Sequence, residues 1–119
     1  MTTKITKLEA AQNALAAAIR VEIKAEADWD RVDRAMKVVK AGGALSPSYE
    51  DALIDAARSV VGNVAYDMTP AELATVADRA VRKVYVAARH AMRAAELAVE
   101  KAEKVAAANE RRRAARKAA

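Results

Sequence analysis

The stretch TPAELATVADRAV, residues 69–81, carries the clearest local signal in this chain of 119 residues. Thr69 is a common helix-capping residue, and Pro70 suits the first helical position because an N–H there has no partner within the helix. Glu72, three residues after Thr69, completes a capping box. No Gly or Pro follows Pro70. The stretch therefore predicts the start of a long helix that continues to about residue 110.

A second long helix is predicted at the other end of the sequence, from about Thr3 to Ala41. It ends at Gly42-Gly43, because glycine readily adopts the left-handed conformation that closes a helix. Its apolar residues recur three and four positions apart, as in a coiled-coil seam, with Glu22 as the one polar position. The members of this seam are Leu8, Ala11, Leu15, Ala18, Ala25, Trp29, Val32, Met36 and Val39.

A shorter helix is predicted between the two long ones. Either Ser46 before Pro47, or Ser48 with Asp51 in capping-box position, can begin it. It ends at about Val61, before Gly62-Asn63. The residues that follow, 64–68, form a connector for which the sequence predicts no particular conformation.

The helix that begins at Thr69 has a seam of its own, which is dominated by alanine. Its members are Ala77, Val81, Val84, Ala88, Ala91, Ala95, Ala98, Ala102 and Val105. Small side chains in one helix allow the larger ones of another to approach closely. We therefore predict an all-α fold, an elongated antiparallel hairpin of two long helices with a shorter helix between them and a coiled-coil-like seam. Such long helices leave apolar surface exposed, which favours self-association.

The residue types that catalysis and metal binding need are scarce. The chain has no cysteine and one histidine, His90, whereas a zinc site needs three or four His, Cys or carboxylate ligands. A Ser-His-acid triad would have to take its base from the same His90, on a long helix. We therefore expect no enzyme activity, no catalytic residue, no metal, no cofactor and no small-molecule substrate.

The N-terminal residues do not form a secretory signal, because polar residues interrupt their apolar run. No stretch reaches the 18 or so uncharged apolar residues that a membrane span needs. The sequence predicts a soluble protein without membrane contact, and the lack of cysteine fits the cytoplasm.

Positive charge is concentrated at the C-terminus. Residues 111–119 contain five basic and no acidic residues, so their charge of +5 equals the net charge of the whole chain. We predict a single helical domain over residues 1–110 and a basic tail over 111–119 that frays, because the apolar seam ends before it. Nucleic acid is the anion that such a tail favours, with a merely solubilising tail as the alternative. The tail's candidate nucleic-acid-binding residues are Arg111, Arg112, Arg113, Arg116 and Lys117.

Two further features are candidates for contact with a protein partner. Trp29 lies in the seam of the first helix, where it can anchor an interface or belong to the hairpin core. A basic stripe lies opposite the seam of the last helix, with an ordinary solvated face as the alternative. This basic stripe consists of Arg79, Arg82, Lys83, Arg89 and Arg93, beside His90.

Together these features predict a non-enzymatic helical interaction protein, a scaffold, adaptor or inhibitor. We expect it to form homo-oligomers and to bind a larger protein through its seam or the basic stripe. The alternative is a nucleic-acid-binding protein that clamps phosphates with the tail and the stripe and reads little sequence. The size and composition also suit a small accessory protein of a phage or mobile element, although no sequence motif points to such a protein.

Deleting residues 110–119 removes one acidic and five basic residues and lowers the net charge from +5 to +1. Because these residues lie beyond the apolar seam, we expect the deletion to cost less than about 1 kcal/mol of unfolding free energy. Thermal unfolding of the two chains, followed by circular dichroism, measures the difference. A large fall in melting temperature would mean that the tail is packed.

Overall fold

The computed structural model describes residues 5–118, and within that range it contains helices and short loops but no strand. The helices are α1 (Lys7–Lys40), α2 (Pro47–Val61), a 3₁₀ helix (Gly62–Asp67) and α3 (Pro70–Ala118). This order confirms the predicted all-α hairpin, in which the two long helices α1 and α3 pack against each other with a shorter helix between them. The chain divides into two compact units, one from Met1–Val21 with Arg89–Ala119 and one from Glu22–Ala88.

Side-chain and glycine caps set the ends of α1. The Oγ1 atom of Thr6 accepts a hydrogen bond from the amide of Glu9 at 3.1 Å, so α1 begins at Lys7. The predicted start at Thr3 lies outside the described residues, and Ile5 and Thr6 precede the helix. At the other end Gly42 has a φ of 74°, and its amide donates to the carbonyl of Val39 at 3.0 Å, as predicted for a glycine stop.

Local caps also determine α2. Of the two predicted caps the structure uses Ser46, whose Oγ accepts from the amide of Tyr49 at 3.3 Å, while Ser48 lies inside the helix. The helix ends at Gly62, which has a φ of 67° and donates its amide to the carbonyl of Arg58. The connector without a predicted conformation belongs largely to the 3₁₀ helix, which buries Ala65.

The capping box predicted at the start of α3 is present. The Oγ1 atom of Thr69 accepts from the amide of Glu72 at 3.3 Å, and a carboxylate oxygen of Glu72 accepts from the amide of Thr69 at 3.2 Å. Two amides that lack partners within the helix are thereby satisfied reciprocally.

The main hydrophobic core lies in the Glu22–Ala88 unit. Leu53 of α2 and Val32 of α1 are its largest fully buried side chains. The other buried members of this cluster are Ala35, Ala57, Ala65, Leu73, Ala74, Ala77 and Val81. Five of the nine buried members of the cluster are alanines, so the helices must approach closely to exclude water. The core joins residues from all four helical segments of the unit.

The Met1–Val21 and Arg89–Ala119 unit is a pair of helices with a thinner core. Every predicted seam position of α1 in this unit, Leu8, Ala11, Leu15 and Ala18, is half-buried. Among the described residues of the unit only Val99 is buried, and it keeps 9% of its surface exposed. The helices therefore pair along one narrow seam, and most of their remaining surface faces solvent.

The seam of α3 differs from the predicted one. Val84, Ala91, Ala98 and Val105 are exposed, and the seam instead contains the residue that follows each of them, Tyr85, Met92, Val99 and Ala106. The other members, such as Ala88 and Ala95, are common to both patterns. The observed pattern buries larger side chains and so removes more apolar area from water. Alanine still occupies five of the nine positions of the observed seam, but Tyr85, Met92 and Val99 now separate Ala88, Ala95 and Ala102.

We expect Leu53→Ala to lower the free energy of unfolding by about 3 kcal/mol, because it leaves a cavity at a fully buried position. Val60→Ala is the control on the same helix. Val60 is 63% exposed, so its truncation should cost less than about 0.5 kcal/mol. Urea unfolding at one fixed protein concentration measures both values. Equal losses in the two variants would contradict the position of the core.

Candidate interaction surfaces

Trp29 is half-buried in the Glu22–Ala88 unit and packs against the hydrophobic core. Its ring lies 4.9 Å from that of Tyr85 between centroids, at an angle of 51°. The guanidinium of Arg82 lies 5.7 Å from the Trp29 ring centroid, within cation–π range. The same guanidinium contacts the carboxylate of Asp78, with Nε 3.1 Å from Oδ2. The tryptophan thus has extensive contacts inside the hairpin.

The open edge of this cluster is an acidic depression of about 240 Å³. Its lining residues are Glu26, Trp29, Asp30, Asp33, Arg82 and Tyr85. The Oδ2 atom of Asp33 is 3.1 Å from the ammonium of Lys37, and Arg82 lies among the acids, so the negative charge is partly balanced. The arrangement is a polar surface feature in which an arginine covers the aromatic ring.

All five basic residues predicted to form the basic stripe on α3 are exposed. Arg79, Arg82 and Lys83 belong to the Glu22–Ala88 unit, whereas Arg89 and Arg93 belong to the other. The ion pair between Arg82 and Asp78 shows that the stripe also has an acidic neighbour that helical spacing had not assigned to it.

The basic tail is helical in the structure, which extends α3 beyond its predicted end at about residue 110. The helix α3 continues to Ala118, and Arg111, Arg112, Arg113, Arg116 and Lys117 are all exposed on it. Alanine and arginine are among the best helix formers, which accounts for the continued helix in the absence of a seam.

Arg113 has a position that sequence reasoning missed. Together with Thr6, Leu8 and Asn109 it lines a groove of about 370 Å³ beside the start of α1. The seam residues Met92, Val99 and Ala106 are spaced by seven, and Arg113 is the next member of that series. The periodic signal was present in the sequence, but the predicted seam was displaced by one residue, so the position seven residues after Val105 is Arg112 rather than Arg113.

An exposed apolar surface is the second feature that sequence reasoning missed. Residues 10–19 of α1 contain no charged residue, and seven of these ten positions are exposed. On the same unit a groove of about 370 Å³ is lined by Lys7, Ala11, Ala98, Lys101, Ala102 and Val105. Assigning Ala91, Ala98 and Val105 to the seam had concealed this surface.

Within residues 5–118 no three His, Cys, Asp or Glu side chains are grouped so that they could hold a metal ion. His90 is exposed on α3, and the hydroxyl of Ser59 donates to the backbone carbonyl of Ala56 at 2.6 Å. No described helix has a stretch long and apolar enough to cross a membrane. Comparison of the chain with protein-family models, curated proteins and solved structures finds no match.

The two interpretations of Trp29, core residue and interface anchor, predict different results for Trp29→Ala. The contacts with Tyr85 and Arg82 favour the core, so we expect the substitution to lower the free energy of unfolding by about 2–3 kcal/mol. Trp29→Phe, which keeps an aromatic ring, should lose less. Thermal unfolding by circular dichroism measures both variants. Unchanged stability of Trp29→Ala, together with loss of self-association, would make Trp29 an interface anchor.

Proposed function

We propose that this protein is a non-enzymatic helical interaction protein that self-associates and acts as a scaffold, adaptor or inhibitor of a larger partner. The observation that carries the proposal is the exposure of the uncharged segment, residues 10–19 of α1. Five of the seven exposed positions in this segment are apolar, namely Ala10, Ala14, Ala16, Ala17 and Ile19, whereas a helix normally turns its apolar positions towards a core. Here only Ala11, Leu15 and Ala18 of the segment are even half-buried.

The basic stripe on α3 is the surface we assign to the larger protein partner. Arg79, Lys83 and Arg93 are exposed and set against few acids, so they complement an acidic surface. Trp29 would contribute through the edge of its ring that remains accessible. We also place the protein in the cytoplasm, on the ground of its cysteine-free sequence.

Nucleic-acid binding is the second candidate function, and the helical tail favours it. A helix that holds five exposed cations over residues 111–117 can follow a phosphate backbone. The aromatic rings offer little for base stacking, because Trp29 and Tyr85 pack against each other at an angle of 51° and Tyr49 packs against the core. The ring of Tyr66 lies 5.4 Å from the guanidinium of Arg58. Such binding would depend on salt and read little sequence.

We expect the molar mass of the protein in sedimentation equilibrium to rise with concentration from 12.7 kDa to at least twice that value. A range of about 1–100 μM covers the weak interfaces that small apolar patches form. Because burial of apolar area drives the association, it should persist when salt screens the charges. A mass of 12.7 kDa throughout this range would remove the self-association from the proposal.

Two matched triple variants test nucleic-acid binding. One neutralises the tail with Arg112→Gln, Arg116→Gln and Lys117→Gln, and the other neutralises the basic stripe with Arg79→Gln, Lys83→Gln and Arg93→Gln. If the tail and the stripe together clamp phosphates, each variant should weaken binding, and its salt-dependence slope should fall by about 0.9 for each lost contact. Weaker binding by the first variant alone would assign the clamp to the tail. Gel shifts with duplex DNA and with RNA at several salt concentrations measure the slopes. No binding by the unaltered protein at low salt would exclude this function.

A further inference from the structure

We propose that two copies of this chain associate in antiparallel orientation through one alanine-rich face of the Met1–Val21 and Arg89–Ala119 unit. This face, called the alanine face below, comprises exposed residues on one side of the helix pair. Its members are Ala10, Ala14, Ala17 and Val21 of α1 and Ala91, Ala94, Ala98 and Val105 of α3. The inference rests on the proposed self-association and names its surface, its partner and its orientation.

The groove beside Lys7 fixes which residues share the face. Lys7, Ala98 and Val105 line that one groove. In a paired helix, residues seven apart point the same way, so Ala14 lies on the side of Lys7, and Ala91 lies on the side of Ala98. Ala11 lines the groove together with Ala98 and Ala102, which places Ala14, one helical turn further along α1, at about the level of Ala98.

The two sides of the helix pair differ in chemistry. The alanine face contains no acidic residue, and the charges that border it are basic, with Lys7, Lys101 and Arg112 towards the end where α3 continues into the basic tail and Lys24 beyond Val21 at the other end. The opposite side includes Gln12, Glu96 and Glu103 at the corresponding flanking positions of the heptads, with Ile19 as its one large apolar residue. An apolar partner therefore fits one side much better than the other.

A second copy suits this face better than a lipid surface does. Alanine and valine bury little area in a bilayer, and the face lacks the Trp, Phe and Leu that anchor interfacial helices. Small side chains do allow two helical surfaces to come close together over a flat contact. The alanine face spans about 22 Å of two adjacent helices, or roughly 440 Å² in projection. That area is at the low end for protein interfaces and fits a reversible dimer.

Charge decides the orientation of the two copies. Residues 111–119 carry +5, and Arg113 lies fifteen residues, or about 22 Å, beyond Ala98 at the middle of the face. In a parallel arrangement the two basic tails would lie about 10 Å apart. In the antiparallel arrangement they are about 45 Å apart, several times the Debye length of ~8 Å at physiological salt. Repulsion between the tails therefore favours the antiparallel dimer.

The antiparallel arrangement places each helix against its own copy. A two-fold axis through the middle of the face brings Ala14 next to Ala14 of the second copy and Ala98 next to Ala98 of the second copy. The parallel arrangement instead places Ala14 opposite Ala98 of the second copy. Since the chain has no cysteine of its own, any disulfide must join introduced cysteines. A single introduced cysteine in each chain therefore reports which residues of the two copies are in contact.

Oxidation of the full chain carrying Ala14→Cys, or separately Ala98→Cys, should yield a disulfide-linked dimer under mild conditions. Ala16→Cys is the matched control, because Ala16 is equally exposed but lies about 200° around α1 from Ala14. We expect at least a tenfold lower yield from it. Cross-linking only in a mixture of the Ala14→Cys and Ala98→Cys chains would overturn the antiparallel orientation in favour of the parallel one.

Glutamate variants test the face without oxidation. Ala14→Glu and Ala98→Glu should each raise the dimer dissociation constant in sedimentation equilibrium at least tenfold, while Ala16→Glu should leave it within about twofold. Circular dichroism confirms that each variant remains helical. If the Ala14→Glu and Ala98→Glu chains still dimerise, the alanine face is not the dimer interface, although the chain does self-associate. If the unaltered chain stays monomeric, both the alanine face as a dimer interface and the proposed self-association are wrong.

Discussion

The pairing of α1 with α3 is the interaction on which the rest of the structure depends. Along the seam of α3 a larger residue alternates with alanine, as in Tyr85 followed by Ala88 and Met92 followed by Ala95. The larger residues provide most of the buried apolar area, and the alanines allow the helices to lie close together. Because each helix alone would leave this seam in water, neither long helix is expected to be stable without the other.

Large apolar residues are scarce in the chain, and this scarcity accounts for the difference between its two units. The Glu22–Ala88 unit has α2 and the 3₁₀ helix to cover the long helices, and it fully buries Leu53 and Val32. The described part of the other unit has only two helices, and Val99 is its one buried residue. Much of its exposed apolar surface lies on the alanine face and along residues 10–19 of α1, and the proposed second copy would cover the alanine face.

Charge and apolar surface are distributed differently along α3. The cations of the tail follow the last seam residues, so they add little to the core and instead determine which neighbours the end of the helix can accept. The proposed dimer and the proposed anion contact are compatible for this reason. An antiparallel pair leaves each basic tail at an outer end, where a phosphate backbone or an acidic protein surface can reach it.

The sequence by itself determined the seam of α1 and most of the helix ends, although α1 begins at Lys7 rather than Thr3 and α3 continues to Ala118 rather than ending near residue 110. Thr69 with Glu72, Ser46 before Pro47, and the glycine at 42 act on backbone groups within a few residues, so their effect is legible without any tertiary contact. The seam of α3, the position of Arg113 and the use of Trp29 inside the hairpin were decided only by the tertiary structure. An alanine-rich helix presents several nearly equivalent apolar faces, so periodicity could not choose between Val84 and Tyr85. Packing against α1 made that choice, because burying the larger side chains removes more apolar area from water.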